Sequence, residues 1–207
     1  MNFVKVFKKF ECLGKALSFI IENSKSLYSP YHNLNHNIIV TVFSYYIGKV
    51  EKLSDKEMKE LLIAAIFHDY NHTAGEQKDD VNIKNAKEGV KEFLKESELD
   101  FDLEKINEIL DATEFPYKID DDKLSTQQKV IRDADMTQLF EPTRLQANYL
   151  GLQKESKIDY KKQLENQESF YKVLKFRTKL GKELYKEFSK EINEELEYLI
   201  SLEEQKL

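Results

Sequence analysis

Apolar residues along this chain recur at steps of three and four and nowhere alternate, so the elements they predict are helices. Phe3, Phe7, Phe10, Leu13, Leu17 and Ile20 form one face and predict a packing helix from Phe3 to about Asn23, weakened slightly by Gly14. Ser29-Pro30 stops the chain and restarts it, Pro being tolerated in a first turn, so Tyr31 to about Val50 reads as the next helix, with His32 and His36 on it. Ser54 followed by Glu57 is a capping-box pattern that starts a helix near Asp55, running to about Tyr70. Asn71 to Asp79 is polar, contains Gly75 and reads as a loop; Asp79-Asp80 then places acidic charge at the start of a helix carrying Val81 to Lys95. Asp102 caps a shorter helix through Ile106, Ile109 and Leu110, closed by Pro116. Ser125 and Gln128 form a second capping box, opening a helix from about Thr126 to Phe140; Pro142 opens another, and two Lys/Glu-rich helices fill Ile158 to Leu202. The expected fold is all-α, a single multi-helix bundle forming one domain over residues 1–207.

Composition narrows the setting. A chain of 207 residues with 41% hydrophobic and 34% charged residues has apolar material for one sizeable core under a charged surface. A formal net charge of -6 leaves no global basic field for binding duplex nucleic acid. Cys12 is the only cysteine, which excludes an intrachain disulfide and a Cys-rich zinc site. Lys5, Lys8, Lys9 and Lys15 interrupt the opening segment, so it lacks the apolar run of a signal peptide. The longest mainly apolar stretches, Ile38 to Ile47 and Leu61 to Phe67, fall short of the roughly 20 residues that span a bilayer. No membrane association is expected, and the cytoplasm is the expected compartment.

The histidines turn this frame towards chemistry. All four occur as two pairs, His32/His36 and His68/His72, each separated by four positions, which puts both rings of a pair on one face where the chain is helical. Asp69 follows His68 directly at the end of the apolar run LLIAAIF, where an unpartnered carboxylate is costly to desolvate and a bound cation would remove that cost. The alternative is a carboxylate solvated at a fraying helix end. In VIRDADMTQLF, Asp133 and Asp135 point about 200° apart around a helix axis, so only one of them should face a site. Mixed imidazole and carboxylate ligands suit Mn, Fe, Zn or, with waters completing the shell, Mg. HDYNH has no Glu after its first His, so zinc-protease chemistry fits poorly.

Tyr31-His32-Asn33-Leu34-Asn35-His36, His68-Asp69-Tyr70-Asn71-His72 and Ala134-Asp135 resemble, in chain order and helical context, the HD-domain superfamily of metal-dependent phosphohydrolases. YHNxxH and HDxxH look most like the catalytic domain of cyclic nucleotide phosphodiesterases. Ala112-Thr113-Glu114 is similar to that family's Ala-Thr-Asp segment, and Gln167-Glu168-Ser169-Phe170 resembles its QxxF nucleotide clamp. The resemblance covers about Tyr31 to Phe170 and implies an HD-type bundle with the C-terminal helices packed on it. It implies that His36, His68, Asp69 and Asp135 bind a first metal, with Asp69 bridging to a second. His32 would be the general acid, and His72 and Thr113 would hydrogen-bond waters of the second metal. Gln167 and Phe170 would hold the base by a bidentate contact and by stacking. The chain also departs from the family: Asn37-Ile38-Ile39-Val40 stands where an Asp is usual, Thr73-Ala74-Gly75 replaces Pro-Gly, and Asp135 to Gln167 is shorter than the norm.

The expected function is therefore hydrolysis of a phosphodiester, a 3',5'-cyclic nucleotide first among them. Two close divalent cations (Mn, Mg, Fe or Zn) would supply hydroxide near neutral pH, and His32 would protonate the departing ribose oxygen. A second reading keeps the metal and changes the substrate to nucleoside mono- or triphosphates or guanosine polyphosphates, which one fold can also serve. A third is a non-catalytic nucleotide-binding regulator. Arg132, Arg144 and Arg177 carry no assigned role and are expected on a solvated face. Phe176, Leu180, Leu184, Tyr185 and Phe188 are expected to pack on the core, and a homodimer stays open.

Overall fold

Leu61, Leu62, Ile63, Ala64, Ala65, Ile66 and Phe67 are each 0% exposed, so the run LLIAAIF is apolar on every side of its helix and must be surrounded. A computed structural model describing residues 2–205 shows how; residues 1, 206 and 207 of the expected domain lie outside the described residues. Among the described residues there are ten α-helices and no strand. In chain order they are α1 (Phe3–Lys9), α2 (Glu11–Asn23), α3 (Leu34–Val50), α4 (Asp55–Phe67), α5 (Asp79–Ser97), α6 (Leu103–Asp111), α7 (Thr126–Asp135), α8 (Leu152–Ser156), α9 (Tyr160–Val173) and α10 (Lys179–Glu204). Helix α4 is the axis of the bundle, with α2, α3, α5, α6 and α7 all packed against it. Among the described residues no helix is long and apolar enough to cross a membrane.

Local signals set most helix starts. Ser54 and Glu57, and Ser125 and Gln128, each form a complete capping box, with side chain and backbone N–H bonded reciprocally. Asp102 caps α6 by accepting from Lys105 N. Three expected boundaries move. The opening helix is two helices that break at Phe10, whose extended backbone (φ -122°, ψ 96°) turns its ring inward, edge-on to Tyr45 at 5.8 Å. Gly14, the weaker point by propensity, sits inside α2. Helix α3 starts at Leu34, because Asn33 accepts from His36 N and caps it there; His32 therefore precedes the helix instead of riding on it. The helix expected to Phe140 is α-helical only to Asp135 and continues as a 3-10 segment, Met136–Phe140.

After Pro142 the chain turns and enters a π-helical segment, Leu145–Gly151, which leads into α8. With the 3-10 segment, α9 and α10 it builds a second apolar cluster of Leu139, Tyr149, Leu164, Tyr171, Ile192 and Leu196. Leu180 and Leu184 pack on the main core, while Phe140 lies 5.3 Å from Phe176 and 5.7 Å from Phe188, so these rings are spent within the chain.

The acidic pair on α7 divides as its angular spacing requires. Asp133, 0% exposed, accepts from Arg177 N, Thr178 N and Thr178 Oγ1 at 2.7–2.8 Å and anchors the start of α10. Asp135 faces the opposite way, towards α3 and α4. The arginines are not on a solvated face. Arg132 is 1% exposed with its guanidinium 4.0 Å from the Tyr117 ring, and Arg177 lies over the same ring at 5.0 Å. Arg144 pairs with Glu191 and Glu195 at 2.7 Å.

Candidate metal centre

Four side chains from three helices and a turn converge at the C-terminal end of α4. His36 comes from the first turn of α3, His68 and Asp69 from the end of α4 and the turn after it, and Asp135 from the last residue of α7. His36 Nε2 lies 3.0 Å from Asp135 Oδ1 and 3.4 Å from Asp69 Oδ2. His68 Nε2 lies 3.1 Å from Asp69 Oδ2 and 3.5 Å from Asp135 Oδ1, and the two Nε2 atoms are 3.3 Å apart. The expected four residues are thus brought together.

The other ring nitrogens decide what these atoms can hold. His36 Nδ1 is 2.7 Å from Gln138 Oε1 and His68 Nδ1 is 2.8 Å from the Ala65 carbonyl, both acceptors. Each Nδ1 must therefore carry the proton, and in the neutral rings both Nε2 lone pairs point at the same place. Asp69 Oδ2 is buried there with no hydrogen-bond partner. Facing lone pairs and an orphaned carboxylate oxygen require a positive charge between them, either a proton or a cation. Burial opposes a charged His68, but Asp69 and Asp135 outweigh it and hold its pKa well above the usual value. Burial would raise both carboxyls, yet His68 and His32 hold Asp69, and His36 and His68 hold Asp135, well below the ordinary carboxylate range. Such a buried His/Asp cluster can bind a metal ion, and its N and O donors fit a borderline or hard divalent cation.

Beside this cluster His32 reaches in from the bend before α3. Its Nδ1 is 2.5 Å from Glu155 Oε2 on α8, and Glu155 Oε1 accepts from Tyr31 N at 2.7 Å and His32 N at 2.9 Å. One carboxylate thus fixes both the backbone and the ring of His32. Burial lowers the imidazole, but Asp69, Glu155 and Asp135 together raise its pKa above the usual value. Glu155 itself, which burial would raise, is held below the usual range by its bonds to His32 and to the two N–H groups.

His72 stacks on His32 with centroids 3.7 Å apart and planes 23° off parallel. His32, His72 and Glu155 lie close enough to suggest another cation site, but stacked rings hold their lone pairs in separate, nearly parallel planes. Both His72 nitrogens also have protein neighbours: Ala74 N–H donates to Nδ1 at 3.0 Å, and the Asn82 amide nitrogen is 2.9 Å from Nε2. Burial and the His32 charge push His72 down to about 4, so it is a neutral wall.

These residues line a cavity of about 460 Å³, within the usual range for small-molecule sites. Thr113, Gln167 and Phe170 line it as expected, while His36 sits behind the wall, 1% exposed. The Thr113 hydroxyl donates to the Leu110 carbonyl at 2.9 Å and keeps only lone pairs for the cavity. Phe170 meets Phe115 edge-on at 6.3 Å. Asp69, Asp79, Asp135 and Glu155 line the cavity, and among the described residues no Lys or Arg does.

Glu155, Asn148 and Tyr117 also line the site and went unassigned in the sequence. Two glycines make the Glu155 contact sterically feasible. A Cβ on Gly151 would lie 2.8 Å from the Pro30 carbonyl oxygen, and one on Gly75, at φ +80°, would lie 3.2 Å from the Glu155 carbonyl oxygen. No protein-family model, curated protein or solved structure matches this chain.

Proposed function

We propose that this protein is a metal-dependent phosphohydrolase of the HD-domain kind, acting on a phosphodiester and first of all on a 3',5'-cyclic nucleotide. The observation that carries the reading is the convergence of His36, His68, Asp69 and Asp135 beside a Glu155-bound His32. The charge of the cavity supports it. An anionic substrate entering a pocket lined by four carboxylates, with no described Lys or Arg among the lining residues, is better accommodated when cations are held there.

His36, His68, Asp69 and Asp135 would hold the first cation, and Asp69 would also serve a second. A divalent cation in this position supplies a water-derived nucleophile near neutral pH and offsets charge building on the phosphoryl oxygens. His32 supplies the complementary proton. With Nδ1 committed to Glu155, Nε2 is the nitrogen that can donate to the departing alkoxide, and the raised pKa keeps that proton in place at neutral pH. Tyr31, edge-on to His32 at 4.7 Å, and the neutral His72 ring stacked on it flank the donor.

A panel of cyclic nucleotides, dNTPs, nucleoside monophosphates and guanosine polyphosphates, assayed with Mn or Mg, tests the reading. Turnover of cyclic nucleotides that is abolished by His32→Ala supports it. Turnover of dNTPs alone moves the substrate to nucleoside triphosphates, and nucleotide binding with no hydrolysis of any member leaves a regulator.

A further inference from the structure

Of the buried side-chain atoms with no hydrogen-bond partner, those that line the cavity belong, among the described residues, to Asp69 and Asn148. The Asp69 oxygen faces the His36 and His68 Nε2 atoms of the candidate metal centre. Asn148 is 2% exposed, and both its Oδ1 and its Nδ2 are unpartnered. Leaving one donor and one acceptor of a single amide buried and unsatisfied is costly, and no side chain around it relieves the cost. Its place in the chain is defined nonetheless. Asn148 sits in the π-helical segment Leu145–Gly151, and its backbone carbonyl accepts from Gln163 Nε2 at 3.0 Å. The neighbouring amide is already committed, since Gln167 Oε1 accepts from the same Gln163 nitrogen at 3.3 Å and Gln167 also hydrogen-bonds the Tyr171 hydroxyl.

We propose that the Asn148 amide, rather than that of Gln167, makes the paired donor and acceptor contact with the base of a bound nucleotide. The inference rests on the phosphohydrolase reading for the phosphate end of the substrate. It deepens that reading by assigning the residue that distinguishes a nucleotide from a bare sugar phosphate. A phosphate offers acceptors only and would leave the Asn148 oxygen unpaired, whereas the edge of a purine presents a donor beside an acceptor, matching a primary amide. Phe170, in the same wall, supplies a face on which such a ring can stack.

The test is equilibrium binding of 5'-AMP, 5'-GMP and ribose 5-phosphate to the full chain in saturating Mn. The wild type is expected to bind AMP at least about tenfold tighter than ribose 5-phosphate, the size of one good pair of neutral hydrogen bonds. Asn148→Leu is expected to cut that margin about tenfold, Phe170 stacking being untouched, while leaving ribose 5-phosphate binding in place. Asn148→Asp, close to isosteric and able only to accept, is expected to move the GMP to AMP preference about tenfold towards GMP, whose N1–H and N2–H groups both donate. A purely structural role would not move that ratio. The inference is overturned if the wild type shows no margin, if the margin is undiminished in Asn148→Leu, or if the ratio is unchanged in Asn148→Asp. Loss of the phosphohydrolase reading is separately visible as a wild type that takes up no metal or turns over no substrate.

Discussion

The Glu155 carboxylate is 2.5 Å from His32 Nδ1 across 123 residues of sequence, and it holds the backbone N–H of the same histidine as well. This contact turns a histidine in an irregular bend into a side chain of fixed orientation and fixed tautomer, which a proton donor to a leaving group needs.

Removing that carboxylate should change the protonation of His32 before it changes the fold. Glu155→Gln keeps an acceptor for Nδ1 but loses the negative charge that helps raise the His32 pKa. The acid must be protonated to act, so kcat falls as pH rises through the His32 pKa, and in the variant that fall should begin at lower pH. A kcat loss of about 10- to 100-fold at pH 8 is expected, with metal content unchanged. Full pH profiles of both proteins check this; superimposable profiles would remove Glu155 from the mechanism.

Metal affinity should weaken on acidification. In the metal-free site the proton on His68 is held well above its usual pKa by Asp69 and Asp135 against the cost of burial. A cation must displace that proton. Below the His68 pKa, apparent affinity should drop about tenfold per pH unit, and uptake should release a proton to the buffer. Calorimetric titrations with Mn in buffers of different ionisation enthalpy measure both effects.

Stability should follow the cation too. A ligand at about 100 times its Kd adds about 2.7 kcal/mol when it binds only the folded chain, so saturating Mn should raise Tm and a chelator should reverse the shift. His36→Ala should abolish the shift.

The contact between α8 and the His32 bend should be sensitive to a single methyl group. Gly151→Ala places a Cβ 2.8 Å from the Pro30 carbonyl oxygen, a backbone atom that cannot rotate aside. A loss of about 1–3 kcal/mol in stability is expected, with a fall in kcat and normal metal uptake. Chemical denaturation and steady-state kinetics read the two effects separately.

The parts legible in the sequence share a physical trait: their signals are local. Capping boxes at Ser54 and Ser125 and the Asp102 cap depend on residues three apart, and each is present in the fold. The opposite facing of Asp133 and Asp135 follows from helix geometry alone. The break at Phe10 was hidden because the apolar spacing continues through it; only packing against Tyr45 favours turning that ring inward. Glu155 was hidden for the same reason. It lies in a Lys/Glu-rich stretch where an acid normally faces water, and its partner is defined only once α8 lies against the bend at Pro30. The three arginines misled in the opposite sense, since charge suggested solvent while Tyr117, Asp121 and Glu195 gave them partners inside.

One titration tests the central claim most directly: Mn added to chelator-treated protein, wild type beside Asp135→Asn, with bound metal measured by elemental analysis after gel filtration. The account predicts that the wild type retains at least one cation per chain and that Asp135→Asn, folded by circular dichroism, binds at least about 100-fold more weakly. A wild type that retains no cation, or a variant that retains as much as the wild type, would contradict it.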